Sequence, residues 1–191
     1  MTDHGGTSEQ LWTVRARVLE RPPRPPTACH TVLTSDPPAG CSGVEVVGLD
    51  PRTVPGAAIH RGGTVFTPTL RLTGRYDGGR LVLTQPPTLV QRRAYATPPV
   101  RRRTGSVPAG PGAARTIEAA PSDVDLAAIR ERLHADAELA DHGIAILGSG
   151  QAGGQVLLWV VVAGPEQTEF LLDRYGPHLV VEGWLEPVPP R

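Results

Sequence analysis

The run TVFTPTLRLTGRYDGGRLVLT, residues 64–84, decides the fold. Apolar and polar residues alternate on both sides of Asp77-Gly78-Gly79, the pattern of a hairpin built from residues 64–76 and 80–84. Leu70, Leu72, Gly74 and Tyr76 share a face that must also receive Leu81 and Leu83, so the turn holds an even number of residues. Two registers satisfy that parity. A turn centred on Asp77-Gly78 sets Arg75 opposite Arg80, whereas one centred on Gly78-Gly79 sets Asp77 opposite Arg80. Facing opposite charges contribute roughly 0.2 to 1 kcal/mol and like charges destabilise, which favours the second register. The outer face is then a basic stripe of Arg71, Thr73, Arg75 and Arg80.

Working outward, residues 12–19 alternate as a strand, with Trp12, Val14, Ala16 and Val18 on one face and Thr13, Arg15 and Arg17 on the other. This strand meets Arg21-Pro22-Pro23-Arg24-Pro25-Pro26, which cannot continue a ladder. Residues 44–49 read as a further strand, ended by Asp50-Pro51. Short strands, Pro/Gly turns and no convincing helix predict a small antiparallel β barrel or sandwich over residues 11–90, an OB type being one form of it. An OB barrel would make Arg71, Arg75 and Arg80, with Tyr76 as a stacking platform, a ligand groove for nucleic acid or another polyanion. The competing reading is a solvated outer face, because aromatic residues make up only 4% of the chain and cannot interleave the arginines.

From Pro86 the composition shifts to Pro, Arg, Ala and Gly, and residues 91–121 read as a linker too poor in apolar surface to order itself. Arg101-Arg102-Arg103-Thr104 within it is a short Arg run of a kind that also serves as a kinase site or phosphate contact. Residues 122–188 form a second unit. Ser122-Asp123 is an N-cap, and Leu126, Ile129, Leu133, Ala137 and Ala140 recur at helical spacing until Gly143. Residues 144–147 and 155–162 read as strands around a Gly-rich turn, the second apolar on both faces and therefore central. Gly164-Pro165 opens another helix, with Phe170, Leu171 and Tyr175 inward and Gly176-Pro177 as its stop. Val180, Val181 and Trp184 belong to a last strand, so the order α-β-β-α-β predicts a two-layer α+β domain.

The 191-residue chain balances 19 basic against 19 acidic residues, and with no Lys every basic residue is Arg. The balance hides a split: residues 1–120 hold 15 Arg against 8 acids, a net charge of +7, and residues 121–191 hold 4 Arg against 11 acids, a net charge of −7. Units of opposite charge either dock on one another or face different partners. Residues 1–10 are polar without the apolar core of an export signal, and no apolar run approaches a membrane span, so a cytoplasmic location is expected from the chain as written.

Chemical motifs are few. Gly148-Ser149-Gly150-Gln151-Ala152-Gly153 satisfies G-x-G-x-x-G, but Val156 and its neighbours lead into a strand, where a dinucleotide site needs a helix N-terminus. Without Lys there is no P-loop, and Ser149 lacks the spacing of a nucleophile elbow. Cys29, His30, Cys41 and His60 can be assembled into four zinc ligands, yet no C-x-x-C knuckle supports such a site. His134 has Glu138 and Asp141 nearby, on a charged helix face that solvation explains. No catalytic residue, metal ligand or cofactor is nominated. Cys29 and Cys41 are twelve apart around a Pro-rich loop, close enough for a disulfide, with two reduced and partly buried thiols as the other reading.

Residues 29–43, with their Ser35-x-Pro37-Pro38-x-x-Cys41-Ser42-Gly43 core, precede Val47-Gly48-Leu49-Asp50 and Leu72-Thr73-Gly74-Arg75-Tyr76-Asp77-Gly78. This set resembles a group of small uncharacterised actinobacterial proteins over about residues 11–87, and Leu172-Asp173-Arg174-Tyr175-Gly176-Pro177 onward to Pro187 is similar to their C-terminal segments. The resemblance implies a paired Cys29 and Cys41 and, because members are often exported or lipid-anchored, an extracellular location; it implies no activity. The expected function is that of a non-enzymatic two-domain accessory or interaction protein whose units dock by complementary charge, its partner another protein or an anionic ligand. An OB-like binder of nucleic acid or another polyanion, and an enzyme with an inter-domain site, are the alternatives.

Overall fold

The computed structural model describes residues 10–32, 40–90 and 123–189; the expected linker, Ser122 and most of the Pro-rich loop lie outside the described residues. The first strands are β1 (Leu11–Arg21), β2 (Arg24–Val32) and β3 (Cys41–Val47). A 3-10 turn at Pro51–Thr53 leads to β4 (Ala58–Ile59), β5 (Val65–Phe66), β6 (Leu70–Asp77), β7 (Arg80–Leu83) and β8 (Thr88–Leu89). β1, β2 and β3 form an antiparallel meander in which Val18 pairs with Ala28 and Ala28 with Val44. β3 runs parallel to β7 through Val46 and Leu81, β7 is hairpinned to β6, and β6 returns antiparallel to β1 through Leu72 and Val14. Five strands thereby close into a barrel, in the order β1-β2-β3-β7-β6, and β4, β5 and β8 extend its edges. Its interior holds Val14, Val18, Val44, Leu70, Leu72 and Leu81, as alternation requires. Burying each such side chain contributes about 1.5–3 kcal/mol.

The hairpin adopts the register that charge favours: Asp77 faces Arg80 and Tyr76 faces Leu81 across Gly78-Gly79. Both glycines have positive φ, 53° and 83°, as the twist of a two-residue hairpin demands. Two other glycines mark close strand approach. A β-carbon on Gly74 would overlap the Val82 carbonyl, and one on Gly43 the Ala28 carbonyl.

The Pro-rich run hides a strand instead of ending the sheet. The chain reverses at Pro22-Pro23, whose peptide bond is cis, and β2 starts at Arg24. Arg24 pairs with Arg21 and the next pairing is Thr27 with Leu19, so Pro25 and Pro26 occupy an irregularity in the ladder that asks no N–H of them. Cys29 and Cys41 form a disulfide, Cα atoms 5.5 Å apart, that ties β2 to β3.

The second part of the chain comprises α1 (Asp123–Ala135), α2 (Glu138–Asp141), β9 (Ile146–Ala152), β10 (Gln155–Val160), α3 (Pro165–Tyr175), β11 (Leu179–Gly183) and β12 (Glu186–Pro187). β10 is central in a separate three-stranded sheet, antiparallel to β9 and parallel to β11, with α3 as the crossover. Leu126, Leu133, Leu139, Leu171 and Tyr175 of the helices share one core with Val156, Leu158 and Val160. The helical pattern expected to run to Gly143 breaks at Asp136. Its carboxylate accepts from the Glu138 N–H at 3.0 Å and the Tyr175 hydroxyl at 2.5 Å and pairs with Arg174 at 2.6 Å. β9 runs through Gly148 and Gly150, and the turn falls later, at Gly153-Gly154. Trp159 is the reason: it faces Gly148 across the ladder, and a β-carbon on Gly150 would stand 3.2 Å from its ring.

Barrel and sheet meet through apolar side chains and backbone. Val161 and Leu185 are buried within the barrel core cluster, with Leu147, Val162 and Trp184 packed against it. β12 pairs with β1, setting Glu186 beside Thr13, and Val188 N–H donates to Leu11 O at 2.8 Å. His30 of β2 lies against Trp159 and Trp184, ring centroids 6.0 and 5.6 Å away, and burial pulls its imidazole below the ordinary 6.5. Arg52 pairs with Glu20, and Arg174 with Asp136 and Glu138, so these ion pairs act inside one charge half each. No described helix is long and apolar enough to cross a membrane.

Candidate functional site

The outer face of β1 and β6 gathers arginines from both strands. Alternation turns Thr13, Arg15 and Arg17 outward from β1 and Arg71, Thr73 and Arg75 outward from β6. The register then sets Arg15 directly opposite Arg71 and Thr13 opposite Thr73. Directly opposed like charges destabilise a ladder, and neither Arg15 nor Arg71 has an ion pair or hydrogen bond to another described residue. The threonine hydroxyls lie 3.3 Å apart, and that of Thr13 donates to Leu72 O at 3.2 Å.

β12 completes the site. Its return alongside β1 raises a wall of Trp184, Glu186 and Val188, enclosing with Arg15, Arg71, Thr13, Thr73 and Gln85 a cleft of about 610 Å³. Two planar guanidinium forks suit a carboxylate or phosphate group, and the Trp184 ring adds an apolar wall beside them. Glu186 is the one carboxylate among the described residues that line the cleft.

The residues singled out from sequence fall in different places. Arg71 lines the cleft; Arg75 is exposed on the same face opposite Leu11. Arg80 has Asp77 on one neighbouring strand and Glu45 on the other, so its charge already has cross-strand company. Tyr76 is on the inward side, half-buried against the barrel core, and burial pushes its hydroxyl above the ordinary 10.0. Cys29 and Cys41 are joined, which leaves no thiol to hold a metal. Arg15, Thr13 and Glu186 were not singled out beforehand. Alternation does turn Arg15 outward, but nothing in sequence says which strand lies beside β1.

A second crevice of about 520 Å³, between β1 and the start of α3, is lined by Gln10, Trp12, His142, Glu166 and Gln167 among others. His142 is stacked on Phe170, ring centroids 3.8 Å apart, and not on an acid or nucleophile. Comparison with protein-family models, curated proteins and solved structures finds no match to this chain.

Proposed function

We propose that this protein is an accessory protein that recognises an anionic group, a carboxylate or a phosphate, on its ligand or partner. The observation that carries the reading is Arg15 opposite Arg71, two guanidiniums with no hydrogen bond or ion pair to another described residue, in a cleft of about 610 Å³. Such a juxtaposition costs stability unless an anion occupies it. The barrel is read as OB-type, supported by its strand order β1-β2-β3-β7-β6 with the third and last barrel strands parallel. OB barrels bind nucleic acid chiefly on their second and third strands, whereas this cleft uses the first and fourth and offers one ring, Trp184. A discrete anionic group therefore fits better than a stacked single strand.

Trp184 makes the test direct. Intrinsic fluorescence of the full chain is titrated with inorganic phosphate, citrate and a single-stranded oligonucleotide at low and high salt. Phosphate or citrate should bind, and Arg71→Ala should weaken binding about 10- to 100-fold, the equivalent of a charged hydrogen bond of 1.5–3 kcal/mol. Binding of the oligonucleotide alone, with a steep salt dependence, would replace this reading with the polyanion one. Absence of binding, or unchanged binding by Arg71→Ala, would remove it.

A further inference from the structure

A separate polar cluster is built by α1 and β9. Arg130 and His134 lie one helical turn apart and project from the same side of α1. Ser149 pairs with Leu158, whose side chain belongs to the core shared with the helices, so the serine turns toward the helical layer. There its Oγ meets His134 Nε2 at 2.8 Å and Arg130 Nε at 3.3 Å. A guanidinium can only donate. Arg130 therefore takes one of the two Oγ lone pairs, and with the imidazole proton on Nδ1 the serine O–H donates to Nε2. This is the protonation pattern a serine nucleophile and its general base require.

A hollow lies beside the Arg130 and His134 side chains, although Ser149 itself does not line it. Ala127, Glu131 and Ala135 join Arg130 and His134 in lining this hollow of about 480 Å³. β9 is an edge strand of its sheet. Ala152 and Gln155 close a two-residue turn, so counting back in pairs makes Ser149 and Leu158 a non-hydrogen-bonded pair. The Ser149 N–H accordingly points away from β10, to the unpaired edge of β9.

We propose that Ser149 is a nucleophile toward small activated esters, with His134 as its general base and Arg130 and the Ser149 N–H as donors to the oxyanion. Oγ bonds to the carbonyl carbon while its proton passes to His134 Nε2. The tetrahedral adduct then expels the alkoxide, which takes that proton and leaves as the alcohol. Water, deprotonated by His134, next attacks the acyl-serine, releasing the carboxylic acid and restoring the hydroxyl. Among the described residues no carboxylate is bonded to His134 Nδ1. The pair is a dyad lacking the third group, whose tautomer-holding role in a triad amounts to about 10⁴-fold in rate. Good leaving groups, such as p-nitrophenolate, are therefore the ones it can expel.

The test incubates the full chain with p-nitrophenyl acetate and locates the acetyl group by intact-mass measurement and peptide mapping. One acetyl group is expected, on Ser149. His134→Gln, a change at an exposed position that leaves the core intact, should slow acylation by about 100-fold or more. Circular dichroism confirms that the variant is folded. No acetyl group on Ser149 together with no p-nitrophenolate release above the uncatalysed rate, or the same rate in His134→Gln, would overturn the proposal and leave the three side chains as a pin between α1 and β9. Neither outcome bears on the cleft at Arg15 and Arg71.

Discussion

Arg15→Glu should do two opposite things at once: stabilise the fold and abolish anion binding. Arg15 and Arg71 are directly opposed across β1 and β6, where β-carbons of such a pair stand about 4.5–5.5 Å apart. Replacing a repulsive pair by an attractive one is worth roughly 0.5–1.5 kcal/mol. Two features put the value in the lower half of that range. Both side chains are exposed, so solvent screens them, and Glu186, beside Thr13 one row away, repels the new carboxylate. A gain of about 0.5–1 kcal/mol raises the melting temperature of a chain this size by about 1–4 °C. Thermal unfolding would be followed for both proteins in phosphate-free buffer at low and high salt, then with added phosphate. The gain should fade in salt, as the screening length drops from about 30 Å at 0.01 M to about 3 Å at 1 M. Phosphate should raise the melting temperature of the wild type alone. A variant that melts lower than wild type at low salt, or a gain that survives 1 M salt, would refute the electrostatic account of this pair.

Other expectations concern the helical layer and the barrel itself. The Asp136 carboxyl is held below the ordinary 3.8 mainly by the Tyr175 hydroxyl, with Arg174 adding to it. A depressed carboxyl contributes stability above its unfolded value that is lost as pH falls through the folded one; the deficit of Tyr175→Phe should therefore be largest near neutrality and shrink below about pH 4. His30 is held below 6.5 by burial, so the unfolded chain protonates first and stability should decline as pH drops below that value. His30→Phe, which keeps a ring against Trp159 and Trp184, should flatten the decline in melting temperature between pH 7.5 and 5. Gly74→Ala drives a methyl group into the Val82 carbonyl and should destabilise by about 3 kcal/mol, read as a lower urea midpoint. An unchanged midpoint would mean that β6 and β7 are less tightly coiled together than described.

Legibility in the sequence followed the range of the forces involved. The hairpin of β6 and β7 was readable to the residue, because parity, one charge pair and two glycines are all local. β10 as a central strand was equally plain from its unbroken apolar run. β2 was hidden by prolines, which propensity counts against a strand although an irregular ladder excuses them. The length of β9 was misjudged because Gly148 and Gly150 look like a turn until Trp159 is placed over them. Half of the candidate site was visible as Arg71; its partner Arg15 lies 56 positions away in sequence, and Ser149 with His134 required a helix to be docked on a strand.

The sequence by itself determined the alternation of β1, β6 and β7, the turn at Gly78-Gly79, and that the two ends of the chain differ in charge. Those are properties of neighbours along the backbone, expressed before any distant contact forms. Only the tertiary structure decided that β1 closes the barrel against β6, that β12 returns to wall the cleft, and that barrel and sheet share apolar core at Val161 and Leu185. Strand partners and registers over such separations are chosen by collective burial of apolar area, and no local pattern encodes a choice that depends on every other element being in place.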